Sequence, residues 1–148
     1  MRNIFRLFND KSSNDSQSVF NKWIDGIIEK EHPDSDIIAY NIGIFESTKG
    51  YQLYFAGFKK FDANNDDWAV GIGDFCPINN YLSIKTSDFK SKKWEDIQNV
   101  TVDLIKNYML TDSYKNSFLA NAVAITTGFD DGELVKIKNK EITATNIG

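Results

Sequence analysis

The chain of 148 residues has one cysteine, Cys76, one histidine, His32, and two prolines. A single thiol excludes an internal disulfide and the zinc sites built from several cysteines, and it suits a reducing cytosol. His32 lies between Glu31 and Pro33 at the end of an expected helix. There an imidazole meets the last carbonyls and the negative end of the dipole, a structural role that outweighs catalysis. No apolar run approaches the ~20 residues of a membrane span. Residues 1–8 are too short and too interrupted for a signal peptide, and a polar run follows at once. Lys and Arg number 17 against 21 Asp and Glu, for a net charge of -4. That balance argues against general nucleic-acid binding, which needs cations to neutralise phosphates. Catalytic signatures are also missing. There is no Gly-x-Ser-x-Gly elbow and no His-Glu-x-x-His, and Gly71-x-Gly73 lacks the third glycine and following helix of a phosphate loop.

A hydrophobic content of 41% and an aromatic content of 14% support a real core. At this length one domain, 1–148, buries roughly two-thirds of its unfolded surface without staples. Residues 9–17 are rich in Ser, Asn and Asp and read as a mobile or capping segment, so 1–17 and 140–148 are expected to be mobile ends. Val19, Phe20, Trp23, Ile24, Ile27 and Ile28 recur at helical spacing, with Ser16 or Ser18 as N-cap and Pro33 closing the helix. Residues 37–46 and 51–60 are β-branched and aromatic, and 47–50 between them ends in Gly50, which predicts a hairpin. Its alternation sends Tyr51, Leu53 and Phe55 one way and Gln52, Tyr54 and Ala56 the other.

Residues 67–71 suggest a short strand, with a bend at Gly71 and Gly73, and 81–85 another. Trp94, Ile97, Thr101, Leu104, Ile105 and Tyr108 mark a second helix, with Ser91 as N-cap and Glu95 and Asp96 at its positive end. A helical turn is expected over 114–119. Val123 and Ile125 then share a strand face. Asp131-Gly132 signals a hairpin whose return strand turns Val135 and Ile137 inward and Lys136 and Lys138 outward. The fold expected is α+β: a mainly antiparallel sheet of five to six strands with two amphipathic helices packed on one face.

The candidate site is acidic. Residues 61–75 hold Asp62, Asp66, Asp67 and Asp74 and no Lys or Arg, so this one segment carries a charge equal to that of the whole chain. Asp62-Ala63-Asn64-Asn65-Asp66-Asp67 superficially resembles a calcium loop. An EF-hand needs Gly at its sixth position and Glu at its twelfth, however, and Asp67 and Gly73 stand there instead. The plainer reading is a turn whose Asn and Asp side chains bond their own backbone. No metal or cofactor is expected. Trp68 follows the acidic pair and fits either a core anchor or an interface anchor. Asp130, Asp131 and Glu133 make a second acidic cluster, which joins the first into one negative patch if both loops reach the same end of the sheet. In a strand, adjacent Asp66 and Asp67 would face opposite ways and make no catalytic pair. Cys76 reads as a small buried hydrophobe with no activated-nucleophile signature toward His32. Lys85, Lys90, Lys92 and Lys93 read as a solvated face.

In the hairpin from Tyr51, the Asp66-Asp67-Trp68-Ala69 segment, the amphipathic helix and the hairpin Gly128-Phe129-Asp130-Asp131-Gly132, the chain resembles small bacterial immunity proteins of polymorphic toxin or contact-dependent growth inhibition systems. The resemblance implies a cytoplasmic protein without catalytic residues, a monomer or weak homodimer. Its partner would be a cognate toxin domain such as a basic nuclease, with no nucleic acid or membrane bound directly. The toxin-binding residues would be Asp62, Asn64, Asn65, Asp66, Asp67, Trp68, Asp74, Asp130, Asp131 and Glu133. The alternatives are a small carboxylate-dependent enzyme and an oligomerising scaffold domain.

Overall fold

A computed structural model describes residues 10–48, 50–84 and 93–139. In chain order the main elements are α1 (Asp10–Lys30), β1 (Ala39–Ser47), β2 (Gly50–Phe58), β3 (Tyr81–Ile84), α2 (Trp94–Tyr108), α3 (Asp112–Lys115), β4 (Ala124–Phe129) and β5 (Val135–Asn139). The strands form one sheet in the order β3-β2-β1-β4-β5. Every pairing is antiparallel except one, where the central strand β1 runs parallel to β4. The fold is thus α+β with a mixed, mostly antiparallel sheet of five strands.

Alternation divides the sheet into two faces. Tyr40, Ile42, Ile44, Leu53, Phe55 and Ile125 point to the helices, where Phe20, Trp23, Ile24 and Ile27 of α1 meet Ile97, Val100, Leu104 and Ile105 of α2. Edge-to-face ring pairs run through this core, among them Phe20–Tyr108 at 6.3 Å and Trp23–Phe55 at 6.3 Å. Trp23 also donates its Nε1–H to the Asn79 carbonyl at 2.9 Å, which satisfies the one polar atom of a buried ring. The outward set read for β2 holds: Tyr54 reaches away from the helices.

Helix α1 begins at Asp10, ahead of the serine caps expected at Ser16 or Ser18. Tertiary contacts explain why the polar segment is helical. Gln17 donates to the Leu104 carbonyl and accepts from Asn107 Nδ2, both on α2. The Ser91 cap lies outside the described residues, and the residue flanking α2 is Lys93, which makes no side-chain cap bond. Lys138 also departs from its expected direction. The β4–β5 register shifts between Ile125 and Thr126, so Ile125 pairs with Lys138 but Thr126 with Lys136. This bulge turns Lys138 to the helix side, where Nζ donates to the Ala120 carbonyl at 2.6 Å and sits 5.9 Å from the Tyr114 ring centroid.

The parallel seam carries buried polar contacts. The Thr126 hydroxyl donates to Asn41 Oδ1 at 2.8 Å, and the Thr127 hydroxyl donates to the Ile42 carbonyl at 2.6 Å. A buried donor or acceptor left unpaired costs about 1–3 kcal/mol, so these contacts disfavour other registers.

Candidate functional site

The sheet face away from the helices is partly covered by the chain between β2 and β3. The excursion leaves at Lys59 and returns at Asp74, and its ends are clasped: the Lys59 N–H donates to Asp74 Oδ2 at 2.8 Å and the Asp74 N–H to the Gly57 carbonyl at 2.8 Å. Gly73 makes the return possible. Its φ is +80°, and a Cβ there would stand 2.5 Å from the Gly57 oxygen, too close for any side chain.

Within the excursion Asp62 Oδ1 accepts from the Asn64 N–H, and Asn65 Oδ1 accepts from the Asp67 N–H. Asn65 thereby caps a 3₁₀ turn, Asp66–Ala69. The short strand expected at 67–71 is absent because a capped turn forms in its place. That turn sets Trp68 edge-on against Phe58 at 5.3 Å and Phe61 at 5.2 Å. Trp68 is therefore a half-buried cover on the outer face, and its buried Nε1 has no hydrogen-bond partner among the described residues.

The turn also delivers Asp66 to the far side of the sheet. Its Oδ2 accepts from the Leu134 N–H at 3.0 Å, and its Oδ1 lies 4.0 Å from Lys136 Nζ. The excursion is thus tied to the β4–β5 hairpin, and the two acidic loops meet. Asp66, Asp67, Asp130 and Asp131 all line one cleft of about 750 Å³. Its floor includes Asn41, Phe45, Tyr54 and Gly128, and among the described residues no Lys, Arg or His lines it. Val70, Ile72 and Tyr81 add exposed apolar surface, at 71%, 68% and 55%. The cleft thus sets four carboxylates beside bare aliphatic and aromatic groups.

Tyr54 is the buttress of this cleft. Its ring crosses Gly43 on β1, and its hydroxyl donates to Asp130 Oδ1 at 2.6 Å. Burial foremost, then the hydrogen bond to Asp130 and its charge, hold the hydroxyl protonated well above the usual phenol range, while Asn41 opposes the shift. Tyr54 therefore acts as a fixed donor, short enough to count as charge-assisted.

The ten expected residues separate into groups. Asp66, Asp67, Asp130 and Asp131 line the cleft, and Glu133 lines a neighbouring cavity. Asp62, Asn65 and Asp74 spend their side chains on the excursion's own backbone, and Asn64 gives its N–H to that turn. Trp68 braces the excursion from below. Sequence reasoning missed Tyr54, Val70, Ile72 and Tyr81. Tyr54 was already placed outward by alternation, and the two aliphatic residues interrupt a polar, glycine-rich stretch. Cys76 is exposed, not buried, because the backbone at Phe75 pairs with Gly57 and turns the following residue outward. His32 is exposed as well. Among the described residues no three acidic, histidine or cysteine side chains are grouped to hold a metal ion, and no helix is long and apolar enough to cross a membrane.

No protein-family model, curated protein or solved structure matches this chain.

Proposed function

We propose that the protein is a non-catalytic, immunity-type inhibitor that captures a basic face of a cognate toxin domain, such as a nuclease, in the cytoplasm. The observation that supports this reading most directly is the meeting of the two acidic loops over exposed Val70, Ile72 and Tyr81. A negative concave surface steers a basic partner and fixes its register, while the apolar groups supply the desolvated contact that slows its release. Asp66 and Asp130 serve the fold as well as the field, since each accepts a structural hydrogen bond. Asp67 and Asp131 are exposed members of the cleft and give the cleaner test.

The experiment is a pull-down against the toxin domain encoded beside this gene, at low salt and at ~0.5 M salt, where steering is screened. A stoichiometric complex is expected, with association slowed about tenfold or more by Asp67→Lys with Asp131→Lys. No complex at either salt would refute the reading, as would a complex indifferent to both reversals.

A further inference from the structure

The β4–β5 turn has a second side. Across it from the acidic cleft lies a second cavity of about 840 Å³, which shares Asp130 and Asp131 with the cleft and is bounded by the ends of β1 and β4, the start of β2 and the first turn of α2. Four aromatic side chains line it: Phe45, Tyr51, Trp94 and Phe129. Phe129 is the hub, edge-to-face with Tyr51 at 5.8 Å and 79° and with Trp94 at 5.9 Å and 88°. Trp94 is 54% exposed even so. Glu46, Asp130, Asp131 and Glu133 share the lining, and among the described residues no Lys, Arg or His does.

We infer that this cavity binds an organic monocation, an alkylammonium or guanidinium group. The chemistry narrows the choice by elimination. A neutral apolar ligand would strip water from four carboxylates and return nothing to them. A hard divalent ion demands a shell of oxygen ligands, which aromatic faces cannot provide, and the described residues hold no metal-binding group of three. A weakly hydrated cation wrapped in hydrocarbon meets both halves of the lining: its charge faces the carboxylates and ring faces, and its methyl or methylene groups pack on Tyr51 and Trp94. The positive end of α2 is offset locally by Glu95 and Asp96 in its first turn. Tyr51 stays a neutral phenol, because burial and then Glu46 raise its pKa.

The test uses the intact protein and three probes: choline, Nα-acetyl-arginine amide and the uncharged choline isostere 3,3-dimethylbutanol. Calorimetry should give saturable binding of a cation with a dissociation constant on the order of millimolar, as fits a ligand of so few atoms. The neutral isostere should bind at least about tenfold more weakly. The Trp94 indole N–H resonance should move on titration. Trp94→Ala should weaken the cation about tenfold, and Glu133→Gln, an exposed change with little hold on the fold, should weaken it a few-fold. Preference for choline marks a free ammonium ligand, and preference for the arginine amide marks a side chain presented by another protein. The inference is overturned if neither cation saturates, if the isostere binds equally well, or if both variants leave binding unchanged. None of these readouts depends on a toxin partner.

Discussion

Replacing Gly43 by alanine probes the buttress of the acidic cleft. Gly43 lies mid-strand in β1, opposite Tyr54 on β2 and Gly128 on β4. A Cβ at this position would collide with the Tyr54 ring, so the ring must swing away and release Asp130. The lost hydrogen bond is solvent-accessible and is taken at about 1 kcal/mol. Forcing the ring off its rotamer adds about 0.5–1.5 kcal/mol. Alanine returns about 0.5–1 kcal/mol by restricting the unfolded chain. The net is a destabilisation of about 1 kcal/mol, read as a fall in urea midpoint of roughly 0.5 M at unchanged slope. In a Tyr54→Ala background the obstacle is gone, and the same Gly43→Ala change should stabilise by about 0.5–1 kcal/mol. The sign reversal amounts to a coupling of about 2 kcal/mol in a double-mutant cycle. An equal cost in both backgrounds, or a gain in the parent, would refute the argument.

Asp66→Ala should cost about 1 kcal/mol in a denaturation series by freeing the Leu134 N–H, whereas Asp67→Ala should stay within about 0.5 kcal/mol; equal effects would contradict the division of roles between them. Stability should fall in alkali. Tyr40, Tyr54 and Tyr108 have folded pKa values raised above the ordinary 10.0, Tyr40 by burial and the other two by burial and then an Asp partner. The unfolded chain therefore loses protons first. Stability is full below pH 10 and drops by about 1.4 kcal/mol per tyrosine per pH unit above it, which alkaline denaturation followed by tyrosinate absorbance can check. Cys76, exposed and the only thiol, should react with one equivalent of a disulfide reagent in the native state; a requirement for denaturant would show it buried.

Much of the frame was legible because it rests on period and punctuation. The stripe from Trp94 to Tyr108 matches α2 end to end, and the alternation of Tyr51 to Ala56 assigned both faces of β2 correctly. Where the readings failed, non-local contacts decided. Residues 10–17 look like loop by composition, yet Gln17 docks on α2 and the helix runs through them. The bulge that flips Lys138 depends on pairing between β4 and β5 and leaves no mark on local hydropathy. At Asp66–Ala69, apolar Trp68 beside Val70 imitates strand alternation, and only the Asn65 cap distinguishes the turn. The convergence of the acidic loops was the least legible feature. It requires β4 to lie beside β1 and the excursion to cross the face between them, and strand order is not written in any single segment.

The parallel seam between β1 and β4 has a consequence for synthesis on the ribosome. The β1–β2 hairpin closes locally, but the side-chain bonds across the seam join residues 85 positions apart. With elongation at roughly 5–20 residues per second, the β4 side of β1 stays unpaired for on the order of ten seconds while the remainder emerges. A bare strand edge of this kind invites pairing with neighbouring nascent chains. Asn41 sits in the middle of that edge and takes its Thr126 partner only at the end. An amide that waits for one particular hydroxyl makes premature pairing with other strands costly. Asn41→Val should therefore raise the insoluble fraction of newly made chains, and an unchanged fraction would show that the edge is guarded some other way. In this light the polar residue at the centre of the sheet protects the unfinished chain as much as it orders the finished one.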